Sequence, residues 1–157
     1  MAASKGFTGK GTVFSVGVTG APETFVAIAQ LKTLQFAGQK LNFDDVTNLD
    51  SVVLGTSAAI LKEQIPATAD PGTLAIAGIF LPGDAGKADL DVAYLGAALT
   101  DFKIQLPKGP GQAISGNLYT FSGYIVEQPL PDIQFDKVLN FKTTIQLNTA
   151  IVITPGS

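Results

Sequence analysis

Three acids close together, Asp44, Asp45 and Asp50, have the most obvious chemical reading in this chain. Carboxylates at short spacing are what calcium uses. The spacing here lacks the fixed glycine and terminal glutamate of an EF-hand loop, so the segment reads instead as a solvated or intersubunit loop. Asp89 and Asp91 lie two apart on a predicted helix and do not face each other. Nothing selects a catalytic pair among the more distant acids. Ser115-Gly116 and Ser122-Gly123 offer hydroxyls, but there is no histidine to activate them. The glycine-rich stretches Gly6–Gly11 and Gly109–Gly111 lack the Gly-Lys-Ser/Thr and the strand–loop–helix setting of a phosphate loop. The phenylalanines would suit base stacking, but such sites also need a cationic groove. Here they fall mostly at core-facing positions.

Composition narrows the chemistry further. The 157 residues contain no Cys, no His and no Arg, and all ten cations are Lys. That removes the thiolate nucleophile, the usual proton-transfer group near neutral pH and the bidentate phosphate fork. The reading is therefore not an enzyme, with no cofactor and no metal. The formal net charge is −3 and the lysines form no run, which disfavours nucleic-acid binding. Hydrophobic residues make up 46% of the chain, enough for a core, and charged residues only 15%. So few charges imply surface covered by partners; the alternative is a large core under a Thr/Gln/Asn/Gly surface. No apolar run reaches the roughly 18 residues of a membrane span. The first ten residues lack the apolar stretch of a signal peptide, so no membrane anchor and synthesis in a cytoplasm without export are expected.

The elements follow from periodicity. Leu139, Phe141, Thr143, Ile145 and Leu147 alternate with polar residues, the mark of a half-buried antiparallel strand predicted to run from about Phe135 to Leu147. Thr12–Val18, Leu74–Leu81, Phe102–Leu106 and Leu118–Val126 read as further strands, and Ala150–Thr154 as a short tail strand. Leu74–Leu81 is apolar or small on both faces, so cover on both sides is expected. In Leu118–Val126, Phe121 and Tyr124 point to opposite faces. Phe25–Phe36 mixes helix-favouring Ala, Leu and Gln with strand-favouring Val26, Ile28 and Phe36; the turn before it tips it towards a strand. Asp84 is placed to cap a helix over about 84–99. Its apolar stripe would be Ala88, Val92, Leu95 and Leu99, with Asp89 and Asp91 in the early turns. Residues 38–71 read as a long irregular loop, within which Ser57–Ile65 suits either helix or strand. Residues 1–11 read as a mobile arm ahead of a single domain over 12–157. The fold class is mainly β: a small antiparallel β-sandwich or barrel with one short flanking helix.

The order of several segments resembles that of tail tube proteins of long-tailed bacteriophages. The segments are Lys62-Glu-Gln-Ile-Pro66, Asp70-Pro-Gly-Thr-Leu74, Ala77-Gly-Ile-Phe-Leu-Pro-Gly-Asp-Ala-Gly86, Asp101-Phe-Lys-Ile-Gln-Leu-Pro107, Phe121-Ser-Gly-Tyr-Ile-Val126 and the closing strand Phe135–Leu147. Each is loose, and their order over roughly Gly11–Thr154 carries the likeness. The resemblance implies a structural virion protein forming stacked hexameric rings, with inner strands joined into one barrel around a conduit for DNA ejection. Implied partners are further copies of itself and tape-measure, tail-terminator and tail-tip proteins. Double-stranded DNA would pass without specific binding, through a channel expected to be polar and negative. The implied location is the virion tail, assembled in the host bacterial cytoplasm.

By the same resemblance, the 38–71 loop and the N-terminal arm would bridge subunits and rings. The candidate contact residues are Phe43, Asp44, Asp45, Leu49, Asp50, Ile65 and Phe7. Unlike the lambda-like pattern, the chain ends soon after this module without an immunoglobulin-like domain, which leaves open whether the tail is contractile. Two alternatives stand beside this reading. One is a tube or connector protein of a related injection system. The other is a monomeric β-barrel that binds a small ligand.

Overall fold

Two-residue alternation commits most of this chain to strands, and the order of those strands decides the shape. The computed structural model describes residues 8–18, 24–56 and 58–157. The strands are β1 (Val13–Val18), β2 (Thr24–Ala27), β3 (Leu31–Ala37), β4 (Lys40–Asp45), β5 (Gln64–Asp70) and β6 (Thr73–Ile79). After the helix α1 (Ala85–Leu95) come β7 (Thr100–Gln105), β8 (Leu118–Ile125), β9 (Pro131–Asp132), β10 (Asn140–Leu147) and β11 (Val152–Thr154). Nine strands form one sheet in the order β2-β1-β7-β8-β10-β6-β3, with β11 paired to β8 and β9 to β10. All of its pairings are antiparallel.

β2 and β3 occupy opposite edges of this sheet, yet only Ile28, Ala29 and Gln30 separate them. The sheet must therefore curl until its edges approach at that link. The Ile28 N–H donates to the Phe14 carbonyl on β1, and the Ile79 N–H donates to the Gln30 carbonyl, each at 2.9 Å. These bonds tie the link to both sides, and Gln30 makes the corner with φ of 58°. Past the link the edges diverge. Among the described residues β3 pairs only with β6, so the expected barrel is not closed by hydrogen bonds.

Inside the curl lies the core. Phe14 and Phe102 stack with centroids 5.7 Å apart, Phe102 and Phe121 at 5.6 Å, and Phe36 meets Phe121 edge-on at 5.6 Å. Around this row are buried Val16, Leu74, Ile76, Phe141, Ile145 and Leu147. Burying a large apolar side chain stabilises by about 1.5–3 kcal/mol. Thr143 sits among them because its hydroxyl donates to the Glu127 carbonyl at 2.5 Å, so it brings no unpaired polar atom inside.

The helix lies over β1, β2 and β8 but presents a different face from the one expected. Its buried residues are Gly86, Lys87, Leu90 and Ala93. Ala88 is exposed, Val92 and Leu95 are 69% and 74% exposed, and Leu99 lies beyond the helix. The reason is contact distance. A Cβ at Gly86 would come within 2.6 Å of the Ala27 carbonyl oxygen, so the helix backbone sits directly against the β2–β3 link. Gly86 and Ala93 turn inward there together with Leu90, leaving Val92 and Leu95 outside. Asp84 occupies the N-cap position without capping; its Oδ2 accepts from the Ala29 N–H at 3.3 Å instead. Asp89 and Asp91 fall after the first turn. The helix stops at Gly96 because Ala97, at φ of 46°, turns the chain towards β7.

Three further expectations need correction. The 38–71 segment is a β-hairpin, β4 with β5, extended by an isolated bridge between Val53 and Ile60. Its alternation is hard to read because both of its faces meet solvent. The last strand begins at Asn140: Pro131 and Asp132 occupy the partner positions of Phe141 and Asn140, and residues 133–139 loop outward. Finally, β6 is covered on one side only, with Leu74 and Ile76 buried and Ala75 exposed between them. The expected strands at 12–18, 102–106, 118–126 and 150–154 are present, and Phe25–Phe36 is two strands broken at Gln30. Phe121 points inward and Tyr124 outward, as alternation requires.

Candidate assembly surfaces

The acids that open the sequence reading do not converge. Asp45 accepts from the Thr47 hydroxyl at 2.6 Å and the Thr47 N–H at 2.9 Å, and pairs with Lys62 at 3.4 Å. The two Thr47 bonds, with a smaller contribution from Lys62, hold its carboxyl below the usual aspartate range. The Asp50 N–H is taken by Asn48 Oδ1. Among the described residues no three acids gather as cation ligands. The Ser122 hydroxyl donates to Asp101, and the Ser122 N–H donates to Thr149 Oγ1. The chain has no histidine, the usual base beside an attacking serine.

The unusual chemistry is apolar and exposed. β4 is exposed throughout and β5 nearly so. Phe43 and Ile65 are about half exposed and Leu49 is 93% exposed, with Leu41, Val46, Val52 and Leu54 also open. Phe43 lies opposite Pro66 and Leu41 opposite Ala69, so these four side chains share one face of the hairpin. Of the candidate contact residues, Phe43, Asp44, Asp45, Leu49, Asp50 and Ile65 thus lie on a single projection; Phe7 lies outside the described residues.

Two glycines form the root of this projection. Gly38 and Gly72 have φ of 78° and 79°, and a Cβ on Gly72 would meet the Ala37 carbonyl oxygen at 2.3 Å. The Gly72 carbonyl accepts from the Leu147 N–H at 3.0 Å and Gln146 Nε2 at 3.1 Å, fixing the root to β10.

Two further surfaces were not marked in the sequence as sites. The seam between β3 and the ends of β7 and β8 holds a cleft of about 910 Å³ lined by Leu34, Phe36, Ile104, Leu106 and Tyr119, with Lys10 and Lys32 also on its lining. The loop after β9 exposes Ile133, Val138 and Phe135, the last at 106%. The signal for this second surface is the Ile133/Phe135 alternation that made the segment read as part of the closing strand. The outer face of β3, β6 and β10 is plain by contrast, built from Thr33, Gln35, Ala75, Lys142, Thr144 and Gln146.

No protein-family model matches this chain, and no curated protein matches it in sequence. Solved structures do match. A chain in the tail of the empty gene transfer agent particle, refined with C6 symmetry, superposes with a TM-score of 0.67 at 14% identity, over 95% of this chain and 99% of that one. A chain in the virion of the native gene transfer agent particle gives 0.66 at 14% identity over the same shares. A chain in the cap that terminates the anti-feeding prophage tube gives 0.60 at 13% identity, covering 99% of this chain and 95% of that one. At these identities the likeness is one of fold. The chain therefore has the curled antiparallel sheet, with its single helix, that is found in phage-like tail and tube particles, as the order of its sequence motifs implies.

Proposed function

We propose that this chain is the structural subunit of a tail tube, assembling into six-membered rings that stack around a channel. One observation carries the reading. The fold occurs in a C6 tail, and among the described residues this chain leaves unsatisfied what such an assembly would satisfy: the free edge of β3 and an exposed apolar hairpin. Pairing the edges of neighbouring copies removes them, as closure does in any barrel. The hairpin then reaches between subunits or rings through Phe43, Asp44, Asp45, Leu49, Asp50 and Ile65, and Phe7 acts from the N-terminal arm.

On this reading the protein is not an enzyme and works in the virion tail. Its partners beyond itself are the proteins that set tube length and close its ends. The plain outer face of β3, β6 and β10 lines the channel. That face carries Lys142 and no carboxylate, so its lining is polar and weakly basic, not negative as the net charge alone leads one to expect. Its small neutral side chains let DNA pass without being held.

Negative-stain microscopy and sedimentation of the purified protein test the proposal. Subunits of about 15 Å radius of gyration arranged six to a circle give rings roughly 10 nm across. A single monomeric species at every concentration, with no rings or tubes, overturns it.

A further inference from the structure

The hairpin and the seam cleft have complementary chemistry. Between Gly38 and Gly72 lie five carboxylates and two lysines, while the rest of the chain balances eight against eight. The whole formal charge of −3 thus resides on the projection. Its Leu41/Phe43/Pro66/Ala69 face is apolar and exposed. The cleft has an apolar floor of Leu34, Phe36, Ile104 and Leu106, and the charged residues on its lining are Lys10 and Lys32, the latter's ammonium donating to Asn140 Oδ1 at 3.0 Å at the exposed surface. We propose that the hairpin of one copy seats in the seam cleft of a second copy. Phe43 enters between β3 and β7, and Asp45, on the same face of the hairpin as Phe43, lies against Lys32 and Lys10.

A copy does not fill its own cleft. The hairpin leaves from the Ala37 end of β3, the cleft runs back along β3 from Phe36 to Leu31, and β4 is exposed along its whole length. The contact is therefore heterologous: one surface of each copy meets a different surface of the next. Repetition of such a contact closes a ring or extends an open stack. The inference rests on the self-assembly proposed above and adds to it the receptor surface.

The absence of cysteine makes the test direct. Two single-cysteine chains are mixed under conditions that form tubes and then oxidised: Leu34→Cys on the cleft floor, and Pro66→Cys beside Phe43. The expected product is a disulfide-linked heterodimer, formed about tenfold faster than in a control pairing Pro66→Cys with Val92→Cys on the exposed helix face. Lys32→Glu added to the Leu34→Cys chain lowers the yield about tenfold, and Asp45→Lys added to the Pro66→Cys chain restores it. Tubes that form normally without this cross-link overturn the cleft assignment and leave self-assembly standing. An intramolecular link in a Leu34→Cys/Phe7→Cys chain, in place of the heterodimer, makes the chain's own N-terminal segment the occupant and also overturns it. A wild-type protein that stays monomeric overturns both readings.

Discussion

Phe36 on β3 and Phe121 on β8 meet edge-on at 5.6 Å, although β10 and β6 lie between their strands in the sheet. This contact holds the curl beside the open seam, where no backbone ladder among the described residues does so. Phe36→Ala removes the half-buried ring and the edge-to-face contact together, and is expected to cost about 2–3 kcal/mol. Urea unfolding of the dilute protein checks this, with the exposed neighbour Gln35→Ala expected to change stability by less than about 0.5 kcal/mol.

The helix separates two predictions that the sequence stripe would merge. Leu90 is fully buried, so Leu90→Ala should cost about 2–5 kcal/mol. Val92→Ser and Leu95→Ser should each change monomer stability by less than about 0.5 kcal/mol, because those side chains are already in water. The same unfolding midpoints decide it; a large loss at Leu95 would mean that the packed face is the one the sequence stripe indicates.

Lys87 is buried against the sheet, 2.9 Å from Asp91 and 4.6 Å from the Phe80 ring centroid. Removing the acid strands the ammonium in a poorly solvated place, whereas replacing both groups with apolar ones does not. Asp91→Ala is expected to cost about 1–3 kcal/mol, discounted for the partial exposure of the carboxylate. The pair Lys87→Met/Asp91→Leu should return to within about 1 kcal/mol of wild type. A double-mutant cycle on thermal midpoints reads the difference.

Asp45 gives the arm a pH dependence of known sign. Its carboxyl titrates lower in the folded arm than in the unfolded chain because Thr47 donates to the ionised form. Its contribution to arm order is therefore present above the unfolded value and lost as pH falls through the lowered folded value. A carboxyl-carbon NMR titration should show a depressed midpoint in the wild type. Thr47→Ala should move that midpoint back up, and an unchanged one would refute the assignment.

Sequence alternation was legible wherever one face of a strand is buried and the other is open, as along β10 and β7. It failed where both faces meet solvent, as in β4 and β5, whose apolar and polar residues follow no sidedness that the single chain imposes. The helix stripe misled for a different reason. Hydrophobic spacing finds the largest side chains, but the packed face is set by how closely Gly86 lets the backbone approach Ala27. The candidate contact residues were found through the resemblance, and the structure gathers the described ones on one projection. The seam cleft was out of reach, since it is built from three strands and a bend that only the curl brings together.

The paired glycines at the foot of the arm make it a cassette. The sheet is already fastened at that point by the bonds from Leu147 and Gln146 to the Gly72 carbonyl, so the intervening segment contributes little to holding the body together. Each doubling of its length costs only about 0.6 kcal/mol in closure entropy. Its reach and chemistry can therefore be exchanged, or the arm cut back to a tight turn, while the rest of the polypeptide folds as before.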